Sequence, residues 1–329
     1  MISKAELHVH LEGTITPEMI TRLAKRNHLA IPKTIFGENK TLCWRDFNDF
    51  IKIYEIASSV IRTPEDYRDL TYDYLAKIAA QGAIYVELTS SPDHYAGMEE
   101  NSYWDHLRGI AAGIDLVQKQ FGITARIIVT CVRHLGVDRC MQIAEQVIAQ
   151  PHPYVVGFGM AGDEINYSAK EFASVFRKVA AAGISCTVHA GEFLGPESIW
   201  EALDYLPVKR IGHGVRAIED PLLMKTLAER QIALELCPGS NMALKIFQNY
   251  QYHPLRKFFD AGIPISLNSD DPPFFNTSLG AEYTTAQEKF GFSKSELLQI
   301  TTMAIQHSFA KSKIKKSLLE KINREQKRL

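Results

Sequence analysis

The chain has 329 residues, 46% of them hydrophobic, and its 37 basic residues nearly match its 38 acidic ones. That composition supplies a large core and no general charge that would favour nucleic acid or a membrane surface, and no apolar run reaches membrane-spanning length. Five cysteines (Cys43, Cys131, Cys140, Cys186 and Cys237), scattered and without a C-x-x-C, fit reduced thiols better than a disulfide framework or a cysteine zinc site. Met1 to Ala5 shows no apolar stretch of the signal-peptide kind, so the expectation is a cytoplasmic protein.

The first predicted strand is Glu6-Leu7-His8-Val9-His10-Leu11-Glu12-Gly13. Strand side chains alternate faces, so His8 and His10 point the same way, and Glu12 joins them if the pleat continues. Thr16-Pro17-Glu18 then opens a helix with an N-cap and a proline at its first position. The segment from Ala30 to Arg62 is less regular, but Trp44, Phe47, Phe50, Ile51 and Tyr54 recur at helical spacing. Most of these should be core, with some able to cover a site as a lid. Thr63-Pro64-Glu65-Asp66 starts a helix that runs to Ala80 and ends at Gly82.

Seven more strand-like runs follow, separated by helical patterns: 83–89, 125–131, 154–160, 185–189, 209–213, 232–237 and 263–269. Ser168 with Glu171, and Ser293 with Glu296, have the spacing of capping boxes. From about Lys311 a last helical stretch carries many lysines and few large apolar residues, and reads as a basic C-terminal helix or solvated tail rather than a nucleic-acid patch. Eight strands each followed by a helix predict an α/β fold. The expected architecture is a (β/α)₈ TIM-type barrel with extra helices after strand 1, one domain over residues 1–329. A doubly wound open sheet is the alternative, but no G-x-G-x-x-G or phosphate loop follows any strand.

In such a barrel the active face lies at the C-terminal ends of the strands. There the sequence places His8 and His10, then Gly162 and Asp163, His189 with Glu192 beyond it, His213, and Asp270 with Asp271. Singly, each has an ordinary explanation: Asp271 before Pro272 can cap a helix, and His213 between glycines can be a packed histidine. Together at one mouth they read as functional, because so many buried titratable groups are costly without a metal or substrate. Imidazoles plus a carboxylate suit zinc, and an open coordination position would hold water with a pKa near ~7, which predicts metal-assisted hydrolysis. The end of the fourth strand, Gly159-Met160-Ala161-Gly162, has no lysine to bridge a second ion, so a single metal is expected.

The motifs His8-Val9-His10-Leu11-Glu12-Gly13, Ala161-Gly162-Asp163-Glu164, Thr187-Val188-His189-Ala190-Gly191-Glu192, Arg210-Ile211-Gly212-His213-Gly214, Cys237-Pro238-Gly239-Ser240-Asn241 and Asn268-Ser269-Asp270-Asp271-Pro272 occur in that order. Over nearly its whole length the chain thereby resembles the adenosine/adenine deaminases of the amidohydrolase superfamily. The paired H-x-E and P-C-x-x-C signature of the other zinc nucleobase deaminases is not completed, since no P-C-x-x-C occurs. The resemblance implies one zinc per subunit on His8, His10, His189 and Asp270, with hydroxide attack on C6 of a purine. It implies that Glu192 protonates N1, His213 orients the water, Asp271 pairs with N7, and the Gly162 N–H meets N3. No nucleic-acid or membrane partner is implied.

Glu12 departs from the nucleoside branch of the family, which generally has aspartate there, and looks like the free-base branch. Gly162-Asp163-Glu164 and the run from Arg210 to Asp220 look like the nucleoside branch. The expectation is deamination of adenosine or deoxyadenosine to inosine and ammonia. Adenine, or a 5′- or N6-modified adenosine, is the alternative substrate. Outside the deaminases, the competing readings are another metal hydrolase or a non-catalytic binding protein on the same barrel.

Overall fold

The β-branched runs form eight strands: β1 (Lys4–His10), β2 (Ala83–Ser90), β3 (Thr124–Val132), β4 (Val155–Ala161), β5 (Ser185–Ala190), β6 (Val208–His213), β7 (Ala233–Leu236) and β8 (Ile265–Leu267). They are seen in a computed structural model that describes residues 2–37, 41–94 and 102–328. The expected lid segment and the helical run after β2 therefore lie partly outside the described residues. Consecutive strands pair in parallel from β1 to β8. The ends meet at a parallel bridge between Val9 and Asp270, where the His10 N–H donates to the Asp270 carbonyl at 3.0 Å. Asn268 helps this closure: its Oδ1 accepts the Leu7 N–H at 2.8 Å, and its Nδ2 donates to the Leu236 carbonyl at 3.0 Å. The expected barrel is present, with helices Pro17–Arg26, Phe47–Ser58 and Pro64–Ala80 inserted between β1 and β2.

The barrel core is polar at its centre. The Arg210 Nε donates to Glu235 Oε1 at 2.6 Å, and its Nη1 lies 2.7 Å from Glu87 Oε2. All three side chains are buried. Phe309 lies beneath, its ring 3.7 Å from the Arg210 guanidinium and its N–H donating to Glu87 Oε1 at 2.6 Å. A planar fork with two carboxylates and a ring face for partners suits arginine and not lysine.

Two local expectations change and a third is settled. β1 ends at His10, Leu11 is helical, and Glu12–Thr14 form a 3₁₀ turn, so the pleat does not extend to Glu12. Ser168 does not cap its helix; its hydroxyl donates to Glu201 Oε1 at 2.7 Å, whereas the Ser293–Glu296 capping box is present. The C-terminal segment, left open between a helix and a solvated tail, is the helix Ser312–Gln326 and is docked. It buries Leu318 and Ile322 in a cluster with Ala5, Leu7 and Tyr85. Two apolar positions four residues apart are enough to dock one face of a lysine-rich helix.

Candidate metal centre and active site

β1 presents His8 and His10, β5 carries His189 one residue before its end, and the loop after β8 supplies Asp270. Their ligand atoms converge: His10 Nε2 is 3.2 Å from His189 Nε2 and 3.3 Å from Asp270 Oδ1, and His8 Nε2 is 3.4 Å from Asp270 Oδ1. The far nitrogens settle the tautomers. His8 Nδ1 faces Glu235 Oε2 at 2.8 Å and His189 Nδ1 faces the Met160 carbonyl at 3.0 Å. Both partners are acceptors, so both Nδ1 atoms carry hydrogen and both Nε2 lone pairs point inward. His8 Nε2 is buried and lacks a hydrogen-bond partner among the described residues.

Inward lone pairs of His8 and His189 beside the Asp270 carboxylate, with His10 Nε2 among them, suit a cation. Four ligands at ~2.0–2.1 Å from zinc define a tetrahedron with edges of roughly 3.3–3.4 Å, close to the spacings seen here. His8, His10, His189 and Asp270 thus fit the ion that the resemblance implies. His8, His213, Cys237 and Asp270 also come within reach of one another. That second set is poorer. The Cys237 thiol lies 3.6 Å from the Glu235 carbonyl, burial and then the Asp270 charge push its pKa well up, and only a thiolate is a good ligand.

A cavity of about 90 Å³ opens beside this cage, lined by Glu12, Gly162, Glu192, His213 and Asp271. His10, His189 and Asp270 line it too, and His8 is buried. Asp163 does not take part; its carboxylate accepts the N–H groups of Ile165 and Asn166 in its own turn. Glu192 Oε2 is 3.6 Å from His213 Nε2, while its Oε1 is buried without a partner among the described residues. Burial, reinforced by the charges of Asp270 and Glu164, pushes the Glu192 pKa well above the usual carboxylate range. Burial and the Asp270 charge do the same to Asp271. Burial drives His213 down to about 3, so its ring is neutral.

Glu12 behaves differently. Its Oε1 accepts the Tyr67 hydroxyl at 3.1 Å and the Ser90 hydroxyl at 2.5 Å. Burial pushes its pKa up, but the His106 hydrogen bond and the fields of His94 and His106 outweigh that and hold it below the ordinary value. The result is a buried carboxylate kept ionised at the edge of the cavity.

Two glycines are required by close approach. A Cβ on Gly13 would fall 1.7 Å from Asp271 Oδ1, and Gly162, at φ 101°, would meet His134 Nδ1 at 2.7 Å. Over the mouth lies the helix Phe47–Ser58, capped by Asp46. Its Phe47, Phe50, Ile51 and Tyr54 line the cavity, and Phe47 packs on Phe193 with ring centroids 4.4 Å apart. Four of the aromatic and apolar residues read at helical spacing thus reach the cavity.

Several residues that shape the site were not singled out from sequence. Glu235 orients His8 from mid-strand, and the signal was an acid inside the apolar run Leu234-Glu235-Leu236. Glu164, buried, accepts N–H groups from Gly191, Glu192 and Phe193 at 2.5, 3.1 and 2.9 Å, and the Ser198 hydroxyl at 2.7 Å. It clamps the loop that carries Glu192. No spacing rule links positions so far apart in the chain.

The family model for adenosine deaminase matches residues 3–325. A protein of Rhizobium meliloti (strain 1021) called adenine deaminase is 41% identical over 320 residues, covering 97% of each chain. One of Chelativorans sp. (strain BNC1), called by the same name, is 42% identical over 324 residues and 98% of each chain. Among solved structures, adenine deaminase from Arthrobacter aurescens superposes with a TM-score of 0.89 at 28% identity, covering 98% of this chain and 99% of that one. The chain belongs to the adenosine deaminase family, the metal-dependent purine deaminases of the amidohydrolase superfamily.

Proposed function

We propose that the protein is a zinc-dependent adenine deaminase, converting adenine and water to hypoxanthine and ammonia. The observation that carries this is the 41–42% identity, along almost the full length, to proteins called adenine deaminases. It favours the free base over adenosine, the substrate first expected. The site's chemistry supports it. A free purine base carries an imidazole-ring N–H that an ionised carboxylate such as Glu12 can accept, and a nucleoside has a sugar there instead.

A zinc ion bound to His8, His10, His189 and Asp270 would lower the pKa of a coordinated water to ~7 and so supply the nucleophile at neutral pH. The remaining work falls to side chains. Glu192 holds a proton and passes it to N1, which draws electron density from C6 and opens that carbon to attack. Asp271 bonds N7, and the Gly162 N–H bonds N3, fixing the ring against the metal face. His213 orients the attacking water. The aromatic side chains of the lid helix exclude bulk water, which strengthens these polar contacts.

An ultraviolet assay over adenine, adenosine, deoxyadenosine and AMP tests the reading. We expect kcat/KM for adenine to exceed that for either nucleoside by at least about 10²-fold, as expected when a site polar group is left without its partner. We expect Glu12→Asp to narrow that ratio. Adenosine turned over as well as adenine would overturn the free-base reading, and a ratio unmoved by Glu12→Asp would remove Glu12 as its determinant.

A further inference from the structure

His213 leaves β6 with φ 59°, a left-handed backbone that a non-glycine residue adopts only when its surroundings hold it there. From its ring a line of hydrogen-bonding groups runs away from the cavity. His213 Nδ1 is 3.5 Å from Asn241 Nδ2, and Asn241 Oδ1 is 3.1 Å from His253 Nε2. His253 Nδ1 in turn accepts the backbone N–H of Leu255 at 3.2 Å. His213, Asn241 and His253 are all buried.

The direction of this line is fixed at its far end. A backbone N–H only donates, so His253 Nδ1 is an acceptor and the proton of its neutral ring sits on Nε2. That Nε2–H needs an acceptor, which places the Asn241 carbonyl oxygen toward His253. The Asn241 amide group is then turned to His213 Nδ1 as a donor. His213 is left with its lone pair on Nδ1 and its hydrogen on Nε2, the nitrogen that faces the cavity.

We propose that Leu255, His253 and Asn241 form a hydrogen-bond relay that locks His213 as the Nε2–H tautomer, making His213 a hydrogen-bond donor at the reacting centre. His253 and Asn241 are positioning residues. The proposal rests on the hydrolytic reading of the site, because a donor is useful where negative charge grows on an attacking oxygen. In this tautomer His213 takes no proton from the water. It also offers no inward lone pair, so it does not compete as a metal ligand, in keeping with the cage of His8, His10, His189 and Asp270.

The test is ¹⁵N NMR of the zinc-loaded protein labelled at histidine, with His213 and His253 assigned by the signals lost in His213→Gln and His253→Gln. Both rings should show a protonated Nε2 and an unprotonated Nδ1 at pH 7. A proton on His213 Nδ1, or a doubly protonated ring, would overturn the relay. Asn241→Asp puts a carboxylate oxygen where the donor stood and draws the ring proton to Nδ1. It should lower kcat for adenine by about 10²-fold or more, leave KM within a few-fold, and move the His213 signals to the Nδ1–H pattern. Unchanged kcat with unchanged signals would overturn the assignment. If the variant does not fold, the spectrum of the parent protein decides alone. A tautomer found as expected in a protein that leaves adenine untouched would strike the deaminase reading and not the relay.

Discussion

Glu192→Gln is expected to cut kcat for purine deamination about 10²- to 10⁴-fold, the span of a lost general acid, with metal content unchanged. The amide keeps the size and reach of the side chain but has no acidic proton for N1. Burial is the largest cause of the raised Glu192 pKa, and that cause does not depend on the charge state of the neighbouring Asp270. The acid works only when protonated. Activity is therefore present below its raised pKa and lost as pH rises through it, so kcat/KM of the parent should fall on the alkaline side. Steady-state kinetics across pH, with zinc measured on the same samples, checks both statements. Near-parental kcat in the variant would sink the assignment.

Arg210→Met should destabilise the protein by about 3–5 kcal/mol, the cost of removing one partner from a buried ion network. Arg210 is fully buried between Glu87 and Glu235, and without it two carboxylates face each other in the barrel core. Burial alone would raise the Glu235 pKa. The charge of Arg210 and the bond from His8 outweigh it and hold Glu235 at about 2. A pKa depressed in the folded state contributes stability at pH above the ordinary carboxylate value. That contribution is lost as pH falls from the ordinary range toward about 2. Part of it disappears in the variant at neutral pH. Because Glu235 also orients His8, zinc affinity should drop by about 10- to 100-fold. Denaturant unfolding of zinc-saturated samples measures the first effect, and a chelator titration the second. A midpoint equal to the parent's would mean that the network contributes specificity without stability.

The barrel was legible because its signal is local. Each strand is a short β-branched run, and each active-face residue sits at the end of one, so His8, His10, His189, His213 and Asp270 could be placed from spacing alone. Glu12 reached the cavity by a different route from the one its spacing suggested. The alternation stops at His10, and a 3₁₀ turn brings the side chain round to Tyr67 and Ser90. What spacing could not supply were partnerships across the sheet. The bonds from Glu235 to His8, Glu164 to the loop after His189, and Glu87 to Arg210 join residues whose proximity is set by strand order and register. The docking of Ser312–Gln326 was missed for a similar reason, since Leu318 and Ile322 are apolar enough only for a face already prepared by β1 and β2.

The ligand set itself is the most exposed point of this account, and X-ray absorption at the zinc edge of the purified protein tests it directly. Three imidazoles and one carboxylate predict a shell of nitrogen and oxygen at ~2.0–2.2 Å with multiple-scattering features of histidine and no sulfur. A zinc–sulfur distance near ~2.3 Å would instead place the ion on Cys237 and contradict the cage of His8, His10, His189 and Asp270.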